Sequence, residues 1–357
     1  MTVADGSDAD RCPSVSVVIA AYQRPETLSA LLRDLAAQDE PCAAAFEVIV
    51  VDDGSDPPLN RESGVNIPAG LNVRLVRQAN AGPGAARDLG IRSAGGAVIV
   101  VVDDDMHVPP SFVAAHLAAH HEGSTVVMGQ IREPSTDRRQ ELFDRFHLFS
   151  LDRFVQAYRR GQATLHGGRL CTGNVSFGRQ AYLDVGGFDL TLRRCEDRDL
   201  GLRLEAAGAR LAFAEAAWAQ HCSDHSDVAA WLRRSAEWGA ADVLISAKHP
   251  ALDHAGPWSF FREIPRPAHP VVLAGALAPK CARAAATAVY RIATFVDRFG
   301  REREALSLTT LAYALAYYGG VGRQSGSIRA TWRSYRAWRS AGAASDHMVG
   351  RSAAVTP

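Results

Sequence analysis

Over the first third of the chain, short apolar runs alternate with helical patterns, and then the alternation stops. VSVVIA (Val15–Ala20), FEVIVV (Phe46–Val51), NVRLVR (Asn72–Arg77) and VIVVV (Val98–Val102) are short runs rich in β-branched residues, and they predict strands. Between them, Leu28, Leu31, Leu32 and Leu35 recur at helical spacing from Pro25 to Ala37, and GPGAARDLGIRSA reads as a helix opened by glycine. STVVMGQI (Ser124–Ile131) predicts a further strand. Continuous apolar runs imply strands buried on both faces, hence an α/β fold with a mostly parallel sheet flanked by helices. The aromatic-rich ELFDRFHLFSLDRFVQAYRRG predicts a helix inserted as a cover over a site. From about Val228 to Trp338 the pattern is helical and rich in Ala and Arg, broken by PRPAHP. The expected organisation is therefore a disordered 1–13, an α/β domain over 14–227 with halves meeting near 130, a helical extension over 228–340 and a disordered tail over 341–357.

In sheets of this kind ligands bind beyond the carboxyl ends of the strands. Three predicted strand ends carry residues capable of chemistry: Tyr22 to Arg24, Asp52 and Asp53, and Asp103 to Asp105. One aspartate after a strand is an ordinary turn residue. Three in succession repel one another and call for a cation among them, and their oxygens suit Mg²⁺ or Mn²⁺. Taken alone, the triplet equally describes a turn with surplus acids; the surrounding motifs decide.

Composition narrows the partners. Lys plus Arg and Asp plus Glu balance at 39 each, which gives no reason to expect nucleic acid. The six cysteines are scattered without a CxxC pair, which argues against a zinc site or a disulfide framework and fits a reducing cytosol. No basic and apolar leader pattern is visible near Met1, and no uncharged run reaches the ~20 apolar residues of a membrane span. Ala305 to Val321 comes nearest and reads as a buried helix. A cytoplasmic location is expected.

PSVSVVIAAYQRPETLSALLRDLAAQ, FEVIVVDDGSDPP and NAGPGAARDLGIRSAGGAVIVVVDDDM, in that order, resemble the donor half of the family-2 glycosyltransferases, the inverting GT-A type. CTGNVSFGRQAYLDVGGFD and RRCEDRDLGLRLEAAGARLAF resemble that family's acceptor segment, so the likeness runs from about Ser14 to His225. It implies a Rossmann-like GT-A domain that takes a nucleotide-sugar, by commonest use a UDP-sugar, and moves the sugar to an acceptor hydroxyl with Mn²⁺ or Mg²⁺.

The resemblance also implies roles. Tyr22 and Arg24 follow the first strand on the nucleotide side; the alternative for Tyr22 is a cover over the sheet edge. Asp53 accepts an N–H from the base, or else caps the DGS turn. Asn80, Gly82 and Gly84 lead into a helix whose Arg87 serves as a permanent cation near the diphosphate or the acids. Asp103 contacts the ribose with Asp104 beside it, and Asp105 binds the metal. His221 completes the metal site in some members, while a single polar histidine is the ordinary alternative; His225 ranks below it. Gly173 and Asn174 meet the acceptor, and Glu196 and Asp197 supply the base, with Asp197 chosen from the ED match. Those acids equally suit a helix N-terminus. Cys171 is expected to be structural, His107 to cap a loop, and His116, His120 and His121 to form a solvated helix face.

The QxxRW motif of processive members is absent, which points to transfer of a single sugar. A nucleotidyltransferase or a Rossmann dehydrogenase needs a glycine-rich loop after the first strand, and AAYQRPETL has none. A silent sugar-nucleotide-binding protein would not need acids at 53, 103, 105 and 197 together. SIRATWRSYRAWRS (Ser327–Ser340) places Arg329, Arg333 and Arg336 at helical spacing against Ile328, Trp332 and Tyr335. Such a helix either rests peripherally on a membrane or buries its aromatics in the fold.

Overall fold

The structure, a computed structural model, describes residues 15–39, 46–121, 125–132, 141–192, 194–222, 227–252 and 255–352. Residues 1–13, His225 and the His121 side chain lie outside that description. The chain divides into two compact units, residues 1–137 with 151–224, and residues 138–150 with 225–357.

The first unit is built on eight strands: β1 (Val15–Ala21), β2 (Phe46–Asp52), β3 (Val73–Arg77), β4 (Val98–Val102), β5 (Met106–His107), β6 (Val126–Arg132), β7 (Asn174–Gly178) and β8 (Leu211–His221). Their order across the sheet is β3-β2-β1-β4-β7-β6-β8-β5. β1 pairs in parallel with both β2 and β4, β2 with β3, and β6 with β8, while β7 opposes both of its neighbours and the two-residue β5 opposes β8. The sheet is thus mixed. Its β3-β2-β1-β4 portion is wholly parallel, as the unbroken Val/Ile runs predicted, and β4 has all five residues buried.

Helices α1 (Pro25–Ala36), α2 (Pro83–Ser93) and α3 (Phe112–His121) connect these strands, and α5 (Arg179–Asp184) and α6 (Glu196–Ala206) follow β7. On one face Leu28, Leu31, Leu32 and Leu35 of α1 pack against Val17, Ile19 and Val50. On the other, Ala86 and Ile91 of α2 join Val18, Val51 and Val101. Alternate residues of each central strand therefore feed opposite cores, which fixes strand register and places each strand's last residue at the same edge.

The second unit is helical: α7 (Val228–Lys248), α8 (His269–Leu277), α9 (Pro279–Asp297), α10 (Glu302–Gln324) and α11 (Ile328–Ser352). α10 is the buried helix its sequence predicted. It approaches α7 without side chains between them: a Cβ added at Gly239 would lie 2.0 Å from the Tyr317 carbonyl oxygen, and one at Gly320 would lie 1.9 Å from that of Ala236. Trp258, Phe261, Tyr318 and Tyr335 form an aromatic cluster. Tyr335 is therefore buried and Trp338 half-buried, so of the apolar face expected on α11 only Ile328 and Trp332 stay exposed. α11 also continues to Ser352, through most of the stretch expected to be a disordered tail.

α4 (Leu142–Arg159) is the helix expected in the aromatic-rich segment. Its first turns belong to the helical unit, where Phe143 and Phe146 stack on Trp231. Its last turns belong to the α/β unit, where Phe154 and Tyr158 pack on Phe213. Phe143 and Phe146 are buried, whereas Phe154 is half-buried and lines a small cavity with Leu151, Val155, Cys171 and Asn174.

Candidate active site

The carboxyl ends of β1, β2 and β4 open on a cleft of about 420 Å³ lined by Tyr22, Arg24, Asp53, Arg87 and the three aspartates. Tyr22 is 45 % exposed at the end of β1, with its ring free to pack on a planar group. Asp53 leaves β2 buried; its Oδ1 accepts from Gln78 Nε2 and the Ala81 N–H, and its Oδ2 from the Gly82 N–H at 2.9 Å. Gly82 has φ +93, a conformation that excludes side chains, and it starts α2. Asp53 thus shapes the turn that launches Arg87.

The acids after β4 answer to different cations. Arg87, buried, donates from Nη2 to Asp103 Oδ1 at 2.6 Å and from Nη1 to Glu196 Oε1 at 3.2 Å. Burial alone would lower the pKa of that guanidinium, and the charges of Asp103 and Glu196 raise it instead. Arg24 reaches Asp105 Oδ2 at 2.7 Å and Asp104 Oδ1 at 3.4 Å. Desolvation, reinforced by the neighbouring aspartates, pushes Asp104 up to about 7. Burial also acts to raise Asp105, yet His221 and Arg24 leave it lower than an ordinary carboxylate.

His221 arrives by strand register. β5 pairs with β8 so that Met106 faces His221, which brings the imidazole alongside Asp105, with Nε2 3.4 Å from Oδ1. That buried Oδ1 has no hydrogen bond of its own. An orphaned carboxylate oxygen facing an imidazole fits a divalent cation. Among the described residues no three His, Cys, Asp or Glu side chains form a complete ligand set.

Glu196 and Asp197 open α6 after Cys195, whose left-handed φ of 60 turns the chain into the helix. Sequence reading missed this strained position, the kind that clusters at functional sites. Asp197 is half-buried and accepts from the Arg198 N–H. Desolvation and the adjacent Glu196 charge push its pKa up to about 6. Cys171 is solvent-reachable yet crowded; desolvation with the charges of Asp197 and Asp103 pushes its thiol up to about 12, so it stays protonated as expected.

Several expected residues stand elsewhere. Asn174 is buried in β7 with its Nδ2 donating to the Ala217 and Gln130 carbonyls and its Oδ1 facing His116 Nε2. Gly173 does mark a close approach, but to Asp103: a Cβ there would lie 3.2 Å from Asp103 Oδ2. His116 is fully buried rather than solvated, with Nδ1 on Ser176 at 2.9 Å, and burial lowers its pKa to about 4. His120 reaches the same hydroxyl. His107 pairs with Asp34 and holds its loop, as expected.

A mixed sheet with a parallel β3-β2-β1-β4 portion and acids at the β4 end has the GT-A arrangement. Over residues 16–186 the chain matches the model of Glycosyl transferase family 2. It is 30 % identical over 210 residues to a pre-mycofactocin glycosyltransferase of Mycobacterium tuberculosis, covering 57 % of this chain and 43 % of the relative. It is 30 % identical over 143 residues to an undecaprenyl-phosphate 4-deoxy-4-formamido-L-arabinose transferase of Salmonella paratyphi A, covering 38 % and 41 %. These matches span less than half the length of either relative. A solved mannosyltransferase of Pyrobaculum calidifontis in complex with GDP-Man and Mn²⁺ shares the fold, with a TM-score of 0.58 at 17 % identity over 86 % of both chains.

Proposed function

We propose that this protein is a metal-dependent inverting glycosyltransferase that moves one sugar from a nucleotide-sugar, a UDP-sugar by preference, to an acceptor hydroxyl. The observation that carries the reading is the ion-pair chain Asp103–Arg87–Glu196, which joins the β4 acids to the α6 acids across 2.6 and 3.2 Å. It brings a nucleotide-side carboxylate and an acceptor-side carboxylate to one guanidinium, although 93 residues separate them in sequence.

In this reading Tyr22 and Asp53 border the base, Asp103 the ribose, and Arg24 the diphosphate. Asp105 and His221 would hold Mn²⁺ or Mg²⁺, which when bound neutralises charge on the leaving diphosphate. Asp197 takes the proton of the acceptor hydroxyl as that oxygen bonds to the anomeric carbon and the nucleoside diphosphate leaves from the opposite face. A carboxylate raised toward 6 binds that proton better than an ordinary one and is still ionised at neutral pH. Glu196, tied to Arg87, holds the helix terminus in place. Mixing the protein with UDP-, dTDP- and GDP-sugars and Mn²⁺ and measuring nucleoside diphosphate release tests the reading. Release that EDTA abolishes is expected; none from any donor, with or without acceptor extracts, would overturn it.

A further inference from the structure

α9 is amphipathic in an inverted sense. The side packed into the helical unit carries Ala282, Ala286, Tyr290 and Ala293. The larger aliphatic and aromatic residues point outward, with Ile292 54 %, Phe295 59 % and Phe299 68 % exposed. Cys281, Ala285, Ala288, Ile292, Phe295 and Phe299 recur at spacings of four and three, so they form one exposed stripe about 27 Å long. At 100° per residue, Lys280, Arg291 and Arg298 lie along one border of it. A helix that only had to pack would place these residues the other way round.

The start of the stripe opens on a cavity of about 840 Å³ between the ends of α8, α9, α10 and α11. Its walls are largely apolar, including Leu277, Pro279 and Ile328, and Lys280, Arg283 and Arg323 are its cations. Among the described residues none of those three makes an ion pair, and no Asp or Glu lines the cavity. Charge is also uneven along a chain that is neutral overall: residues 279–340 hold eleven Lys and Arg against three Asp and Glu.

We propose that this face of the helical unit docks on an anionic bilayer, the α9 stripe entering the interface and the cavity receiving a lipid phosphate among Lys280, Arg283 and Arg323. An apolar stripe bordered by Arg is the pattern that lies in a headgroup plane, and basic residues add attraction to anionic lipid. Packing assigns this contact to α9 instead of the aromatic face of α11, which is engaged with Trp258 and Phe261. The inference stands apart from the glycosyl-transfer reading, since it uses none of the cleft residues.

Sedimentation of the full chain with vesicles of pure phosphatidylcholine, and of equal parts phosphatidylcholine and phosphatidylglycerol, tests it. The anionic vesicles should pellet about ten-fold more protein or better, and salt should weaken the binding. Combined Ile292→Ser, Phe295→Ser and Phe299→Ser should return pelleting to the phosphatidylcholine level with an unchanged circular dichroism spectrum and melting curve, since all three are exposed. Combined Lys280→Gln, Arg283→Gln and Arg323→Gln should lose the preference for anionic vesicles. Equal pelleting on both vesicle types, or a serine variant that binds like the parent, overturns the proposal. So does a parent dimer that the serine variant converts to monomer with vesicle binding unaltered, which would make the stripe a contact between copies of this chain.

Discussion

In the α/β unit the guanidinium of Arg87 is buried between Asp103 and Glu196, whereas in the helical unit Lys280, Arg283 and Arg323 border an apolar cavity without an ion pair among the described residues. At the cleft of the first unit Arg87 is held by opposite charges in a medium that screens poorly. At the cavity of the second, Lys280, Arg283 and Arg323 lie at the margin of apolar surface, where water solvates them until something anionic arrives. Buried pairs set geometry and tolerate no loss of a partner; exposed cations tolerate loss of any one and act by their sum. Charge therefore has a positional role in one unit and a collective role in the other.

The contrast is most easily broken at Asp105. Asp105→Ala removes the orphaned oxygen facing His221, and donor turnover should fall by about 10³-fold or more. Mn²⁺ should no longer stimulate, and the melting curve should keep its shape. Retained turnover in excess EDTA would place the cation elsewhere. Asp197→Asn should lower kcat about 10²–10⁴-fold with donor KM nearly unchanged. The parent's kcat/KM should fall as pH drops through about 6, where Asp197 takes up its proton, and the asparagine variant should lack that limb. A variant that loses donor affinity and keeps its rate would move Asp197 to the donor side.

Arg87→Leu sharpens the stability half of the comparison. It strands Asp103 and the buried Glu196 without their cation and should destabilise the α/β unit by about 3–5 kcal/mol in urea titration. The smallest effect belongs to Arg301→Ala in the helical unit, whose ion pair with Glu304 is exposed on both sides. A urea midpoint matching the parent's is expected. If the two substitutions cost alike, the distinction between positional and collective charge fails.

β1 to β4 and β6, the helices between them and the clustering of Asp53 with Asp103 to Asp105 were legible because they depend on local periodicity and on one rule about strand ends; β5, β7 and β8 were not, and Glu196 came only through the family resemblance. His116 was not legible either. α3 reads FVAAHLAAHH, apolar on nearly every side, so its sequence names no buried face, and Ser176 and Asn174 on a strand about sixty residues away decide it. The partners of the Asn174 amide, the Ala217 and Gln130 carbonyls and His116, were illegible for a related reason: strand orientation decides them. The outward face of α9 shows only once its alanines are seen to be the packed side. The division of α4 between two cores likewise depends on partners far along the chain, Trp231 for one end and Phe213 for the other.

The backbone contact between α7 and α10 bears on how such a unit can drift. An aromatic core such as Trp258, Phe261 and Tyr318 can change one ring at a time, each step leaving a chain that still folds. Gly239 and Gly320 have no such neighbours in sequence space, because a single methyl at either would overlap a carbonyl oxygen of the other helix. Lineages can therefore rewrite the surroundings of these two positions freely while the pair itself stays still, unless both helices shift together.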